Sequence, residues 1–160
     1  MATTILPERL ARFENAHLRR GLHLRRDGHI DVCFMQAVDW LTGGDGKTYA
    51  PECVDPVIRV FGIHLNDSVV FAEFRDELKP YVIKVIDTKR APEATKQRSY
   101  MCADWAVRTI APMAFDYIET PQAKEWAAKL RAVSPIVDTP TAEAGRIVAR
   151  AAYAYAYAAA

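Results

Sequence analysis

Nine prolines punctuate the chain, and where they fall constrains its fold more than any other feature. Proline is favoured in the first turn of a helix, where its missing N–H is no loss. Ser, Thr, Asp and Asn are favoured just before it, because their side-chain oxygens accept from the free N–H groups of that turn. Asp55-Pro56, Thr120-Pro121, Ser134-Pro135 and Thr139-Pro140 all have this form. Three lead into helical periodicity. Ser134-Pro135 reads as a linker, since Asp138 and Pro140 follow so soon.

The intervals between these starts read as helices. Leu6, Leu10, Phe13 and His17 share a face and predict a helix from about Pro7 to Arg20, stopped by Gly21. Asp31 reads as the cap of a second helix over about 32–42, with Val32, Met35, Val38 and Asp39 or Trp40 forming its stripe. A third starts near Pro56 with Val57, Val60, Phe61 and Leu65 inward. A fourth carries Val70, Phe71, Phe74 and Leu78. Tyr81 to Ile86 is β-branched, but with no partner strand in view it reads as helix. A long helix over about 92–110 has Tyr100, Met101, Trp105 and Ile110 as core candidates, and Pro112 ends or kinks it. A further helix over 121–133 buries Trp126, Leu130 and Val133. The last begins at Pro140 and is rich in alanine, the best helix former. The expected fold class is all-α: a single compact helical domain over 1–160 of about six to eight helices, with 140–160 an Ala/Tyr-rich C-terminal helix. Length agrees, since 160 residues suit one domain.

Charge narrows the functional classes. Lys and Arg number 21 against 20 Asp and Glu, a net charge of +1. That balance speaks against a surface devoted throughout to nucleic acid and against an acidic mimic of it. Two local basic clusters remain. Arg19, Arg20, Arg25 and Arg26 lie in the first, and Lys89 and Arg90 in the second. Arginine suits phosphate because its planar fork bonds two oxygens at once. Three cysteines, odd in number and sparse, read as reduced thiols of a cytoplasmic protein. No apolar run approaches the length that spans a bilayer, so no membrane partner is expected.

Catalytic and ligand motifs fail on spacing. Cys33, Cys53 and Cys102 are far apart, with only His29 loosely near Cys33, so no metal site is expected. Gly43-Gly44-Asp45-Gly46-Lys47-Thr48 ends like a phosphate-binding loop, but the first glycine of that motif is replaced by Leu41 and no strand precedes it. Asp104 and Arg108 stand i, i+4, as an intrahelical ion pair does, and Asn66-Asp67 reads as helix punctuation. No catalytic residue and no cofactor is assigned. Near the C-terminus, Tyr153 and Tyr157 share one helix face and Tyr155 points nearly opposite. Such a helix contacts two surfaces, and tyrosine is enriched at interfaces.

One pattern is familiar. Cys33-Phe34-Met35-Gln36-Ala37-Val38, Pro51-Glu52-Cys53, Asp55-Pro56-Val57, Asn66-Asp67 and Ala103-Asp104-Trp105-Ala106-Val107-Arg108 together resemble a group of small uncharacterised proteins of actinobacteria and bacteriophages. The resemblance covers roughly residues 31 to 115. The group's first segment reads Cys-x-Met-Glu, and this chain has Gln36 at the glutamate position. The resemblance implies no activity. It does imply that Cys33, Cys53, Asn66, Asp67, Asp104 and Arg108 converge as a polar cluster. With Gln36 in it, acid–base work at that position is lost, while a structural network tolerates the change.

The expectation drawn from all this is a non-catalytic protein–protein interaction or accessory protein of bacterial or phage origin. It would act on a protein partner or by self-association through Tyr153, Tyr155 and Tyr157. Two alternatives stand beside it: a nucleic-acid binder using the Arg-rich N-terminal region, and a small enzyme of unknown reaction near Cys53, Asp67, Asp104 and Arg108.

Overall fold

The computed structural model describes residues 2–20, 31–69 and 72–158. Among the described residues the chain is all-α apart from one pair of two-residue strands. Its α-helices among the described residues are α1 (Pro7–Phe13), α2 (Phe34–Leu41), α3 (Pro56–Asp67), α4 (Lys79–Lys84), α5 (Pro92–Trp105), α6 (Ala111–Asp116), α7 (Pro121–Arg131) and α8 (Thr139–Ala158). A 3₁₀ turn, Arg75–Leu78, precedes α4, and a π turn, Ala106–Ile110, joins α5 to α6 without a break. Contacts divide the chain into two compact units, residues 1–91 and 92–160.

In the first unit α2 is the centre. Its Phe34, Met35, Ala37, Val38 and Leu41 are all buried, with Phe13, Leu18, Val54 and Val82 around them. The expected first helix stops early. After Phe13 the N–H groups of Asn15 and Ala16 bond back to Arg12 and Phe13 in a tightened last turn. The chain then runs extended as β1 (His17–Leu18), pairing in parallel with β2 (Asp31–Val32). His17 therefore lies on a strand and not on a helix with Phe13. Asp31 does not cap α2 either. It sits in β2, and the cap is Cys33, two residues on.

The inward face of α3 also differs from expectation. Val60 and Phe61 are exposed, whereas Gly62 and Asn66 are buried and Ile58 packs on the core. Gly62 lies so close to α2 that a Cβ there would sit 2.9 Å from the Phe34 ring. The predicted fourth helix is instead the 3₁₀ turn, with Phe74 exposed; its Val70 and Phe71 lie outside the described residues. Of Tyr81 to Ile86, Tyr81 to Lys84 is helical in α4, as the lack of a partner strand predicts, and Val85 and Ile86 continue as a turn.

The second unit packs α6, α7 and α8 around Phe115, Ala123, Ala127, Leu130 and Ala152. Small alanines on α7 and α8 let the helices approach, and Phe115 and Leu130 supply the bulk. Trp126 is only half-buried at the edge. Pro112 does not end the helix. Its ring would clash with a regular preceding turn, and the π turn just before it opens that turn and lets the helix run on to Asp116. Residues 132–138 form the expected linker, with Ile136 buried. At α8 the cap is Asp138, whose Oδ1 accepts from the Thr141 N–H at 2.9 Å, rather than Thr139.

Candidate functional site

Gln36 and Cys33 meet because the start of α2 brings them together. The Cys33 N–H donates to Gln36 Oε1 at 3.1 Å, and the Cys33 sulfur accepts from the Gln36 N–H. This is a capping box, in which two orphan N–H groups of a helix start are satisfied reciprocally. Glutamate performs the same reciprocal bond as glutamine, so the position needs a carbonyl or carboxylate oxygen and no titrating proton. Burial pushes the Cys33 thiol up, against the pull of the Gln36 and Met35 N–H groups, and the negative charge of Asp67 pushes it further. The thiol is therefore held protonated at neutral pH, the opposite of what a nucleophile requires.

Asp67 acts on Tyr49 as well. Desolvation first, then the neighbouring Cys33 and Asp67, raise the Tyr49 phenol. Cys33, Asp67 and Tyr49 thus share one electrostatic neighbourhood, and Tyr49 is a member that sequence spacing does not single out. Next to Asp67, buried Asn66 ties three segments together. Its Nδ2 donates to the Arg19 carbonyl at 2.8 Å and to Asp67 Oδ1 at 2.9 Å, and its own carbonyl accepts from Arg75 Nε at 2.7 Å. Asn66 and Asp67 are the last two residues of α3, so the helix ends where the sequence reads punctuation. Asn66 Oδ1 and Gln36 Nε2 are buried without a hydrogen-bond partner among the described residues.

Asp104 and Arg108 belong to the second unit. Arg108 donates to Asp104 at 3.1 Å, as the i, i+4 spacing predicts, and the carboxylate also accepts from the Ile136 N–H at 2.9 Å. The Ile136 N–H, and after it the Arg108 guanidinium, hold the Asp104 carboxyl below its usual range. The pair clamps α5 to the linker before α8. Cys53 is half-buried and lines a cleft of about 500 Å³ with Thr3, Glu52, Asp87, Lys89 and Arg90.

Of the basic residues, Arg19 contributes mainly its backbone. Its N–H donates to Val32 and its carbonyl accepts from Asn66, while Nε stands 3.6 Å from Asp31. Arg20 is exposed. Arg25 and Arg26 lie outside the described residues. Lys89 and Arg90 are exposed at the rim of the cleft. The glycine loop after α2 is a helix-ending turn. Gly43 and Gly46 take positive φ of 103° and 76°, and the Asp39 carboxylate accepts from the Gly46 N–H at 2.8 Å. Lys47 pairs with Asp45 at 2.7 Å. A carboxylate therefore occupies the place where a phosphate-binding loop presents free N–H groups.

The three tyrosines divide as their spacing predicts. Tyr155 points inward, stacked 6.2 Å from Phe115 and tilted 6.5 Å from Trp126. Tyr153 and Tyr157 stack on each other at 6.4 Å and stay exposed.

The largest departure from expectation is on α5 and α6. Met101, Trp105 and Ile110, taken as core, are exposed at 64%, 45% and 40%, and Met113 and Tyr117 follow at 49% and 85%. Across the π turn the step from Trp105 to Ile110 is five residues, one π turn, so the row stays on one face. A count at 3.6 residues per turn loses the row there. Among the described residues no group of three or more His, Cys, Asp or Glu is placed to hold a metal ion, and no helix is long and apolar enough to cross a membrane. Compared with known proteins, the chain matches no family model, no curated protein and no solved structure.

Proposed function

We propose that this is a non-catalytic interaction protein that associates with a second copy of itself through the outer face of α5 and α6. The observation that carries the reading is the row Met101, Trp105, Ile110, Met113 and Tyr117, large apolar side chains each at least 40% exposed along one continuous helical rod. Single exposed apolar residues are ordinary, but a contiguous row of them marks a contact surface. Methionine and tyrosine suit such a surface, since one adapts its shape and the other carries apolar area with a polar tip. A two-fold pairing of the rod with its own copy needs only this one row, because each copy offers the same patch. The protonated, buried Cys33 and the structural bonding of Asn66 and Asp104 support a role without chemistry.

Sedimentation velocity across a wide concentration range tests this. The wild type should gain mass with concentration. Met113→Glu, which sets a charge in the row, should stay monomeric, and Lys124→Glu on exposed α7 should behave as wild type. A wild type that stays monomeric throughout, or a Met113→Glu variant that associates equally well, refutes the reading.

A further inference from the structure

We propose that Met101 and Met113 are sites of oxidative modification, and that a peroxide, by converting their thioethers to sulfoxides, separates the self-associated chains. This inference deepens the self-association reading and rests on it, since both methionines belong to the apolar row on α5 and α6.

Beyond Met1 the chain has three methionines. Met35 is fully enclosed in the core of the first unit, while Met101 and Met113 are 64% and 49% exposed. A peroxide in water reaches the last two and not the first. Their place in the row matters as much. Position 109 is midway between Met101 and Tyr117, and midway between Trp105 and Met113. Two copies of the rod laid antiparallel across a two-fold axis at that position set Met101 of one copy opposite Tyr117 of the other, and Met113 opposite Trp105. Each sulfur then meets an aromatic ring, a favourable contact for a polarisable thioether. A parallel pairing sets methionine on methionine and forgoes that contact. The two-fold doubles the count, so four thioethers lie in one interface.

With hydrogen peroxide the step balances without a further reactant. A sulfur lone pair attacks one peroxide oxygen, and the S–O bond forms as the O–O bond breaks. The proton on the transferred oxygen passes to the departing hydroxide, which leaves as water. Sulfur loses two electrons and the peroxide gains them. The product is polar and chiral where the thioether was flexible and apolar. Buried opposite an aromatic ring, the new oxygen loses its hydrogen bonds to water and gains none in exchange. Associated chains bear that cost and separate chains do not. Oxidation therefore favours separation, and association in turn shields the sulfurs. Sulfoxides are reduced enzymatically, so the change is reversible.

The test treats the full chain with dilute hydrogen peroxide and quenches with catalase. Peptide mass spectrometry then locates the added oxygen, and sedimentation velocity reads the assembly. Met101 and Met113 should gain oxygen while Met35 does not, and more slowly at protein concentrations where the chain associates. Oxidation should weaken association at least about a hundredfold, as four unbonded oxygens in one interface imply. Methionine sulfoxide reductases with dithiothreitol should restore it, whereas dithiothreitol alone, which reverses thiol oxidation, should not. Met101→Leu/Met113→Leu keeps the apolar volume and should associate alike before and after peroxide; the reductase arm needs no variant. An untreated chain that stays monomeric sinks the self-association reading and this inference with it. Chains that associate when untreated, and remain equally associated once both methionines carry oxygen, overturn this inference alone. So does oxidation of Met35 as fast as the other two, or a double leucine variant that peroxide separates as readily as wild type.

Discussion

Gly62 and Gly145 are both buried helix glycines, and the structure predicts that alanine acts oppositely at the two. In a helix interior, Gly→Ala gains about 0.8–1.0 kcal/mol from the smaller loss of backbone freedom. At Gly62 the new Cβ would lie 2.9 Å from two atoms of the Phe34 ring and 3.4 Å from the Met35 methyl. Phe34 and Met35 are fully enclosed in the first unit's core and have nowhere to move. Overpacking of that kind costs about 1–3 kcal/mol. The clash therefore outweighs the propensity, and Gly62→Ala should lose about 1 kcal/mol. At Gly145 the nearest atom is the terminal Cδ1 of Ile136 at 2.8 Å, with the next at 3.4 Å. That methyl turns away about one bond, at a cost of about 0.5–1 kcal/mol. Gly145→Ala should then fall between neutral and about 0.5 kcal/mol more stable. Urea unfolding followed by far-ultraviolet circular dichroism reads both. Adding Phe34→Leu should reduce the penalty at Gly62, because the two residues are in contact and their effects are not additive. A Gly62→Ala protein stabilised by about 1 kcal/mol would refute the close approach of α3 to α2.

Tyr155 anchors α8 against Phe115 and Trp126, so Tyr155→Ala should destabilise the protein by about 2–4 kcal/mol, while Tyr153→Ala should stay within about 0.5 kcal/mol. Equal shifts in melting temperature for the two would refute the inward–outward division of the tyrosines. Acid should destabilise the fold. Partial burial works to raise the Asp76 carboxyl, but His17 and the Leu18 N–H outweigh it and hold it low, and Asp104 is held low by Ile136 and Arg108. A carboxyl whose folded value lies below its unfolded one, about 3.9, stabilises above that pH and loses its contribution as pH falls through the folded value. Urea midpoints should thus be flat near neutrality and drop below about pH 4, less steeply in Asp104→Asn; midpoints that rise on acidification would overturn the assignment.

The helix starts at Pro56 and Pro121 were legible because the stabilising bond is local. Asp55 accepts from the Val57 and Ile58 N–H groups at 2.9 and 3.4 Å, and Thr120 accepts from the Ala123 N–H at 3.1 Å, each within three residues of the cap. Neighbouring residues determine such bonds, so neighbouring letters reveal them. Helix faces were less legible, because a face is chosen by what packs against it. Gly62 and Asn66 turn inward on α3 for reasons absent from their hydropathy: one allows close approach to Phe34, and the other bonds residues 19 and 67. The two-residue strands at 17–18 and 31–32 are too short to leave any alternation. On α5 and α6 the apolar spacing signalled a core, yet hydropathy records only that a side chain avoids water, not whether it does so inside its own chain or against another.

The same distinction separates the cleft at residues 2–3, 52–53 and 87–90 from the apolar row on α5 and α6. Lys89 and Arg90 were visible as a basic pair and Cys53 as a lone thiol, but no pattern joins positions 3, 53 and 89. They meet because the Lys89 N–H reaches the Cys53 carbonyl and Thr3 grips Asp87 across 84 residues of chain. A cleft assembled this way leaves no periodic trace, since each stretch supplies only one or two residues. The apolar row does leave a trace, because five positions on one rod supply it. Its phase alone was hidden, by the π turn that precedes Pro112 and shifts the count by one residue. Restoring that residue aligns Met101 with Tyr117, and the helix expected to fill a core becomes one that offers its apolar face outward.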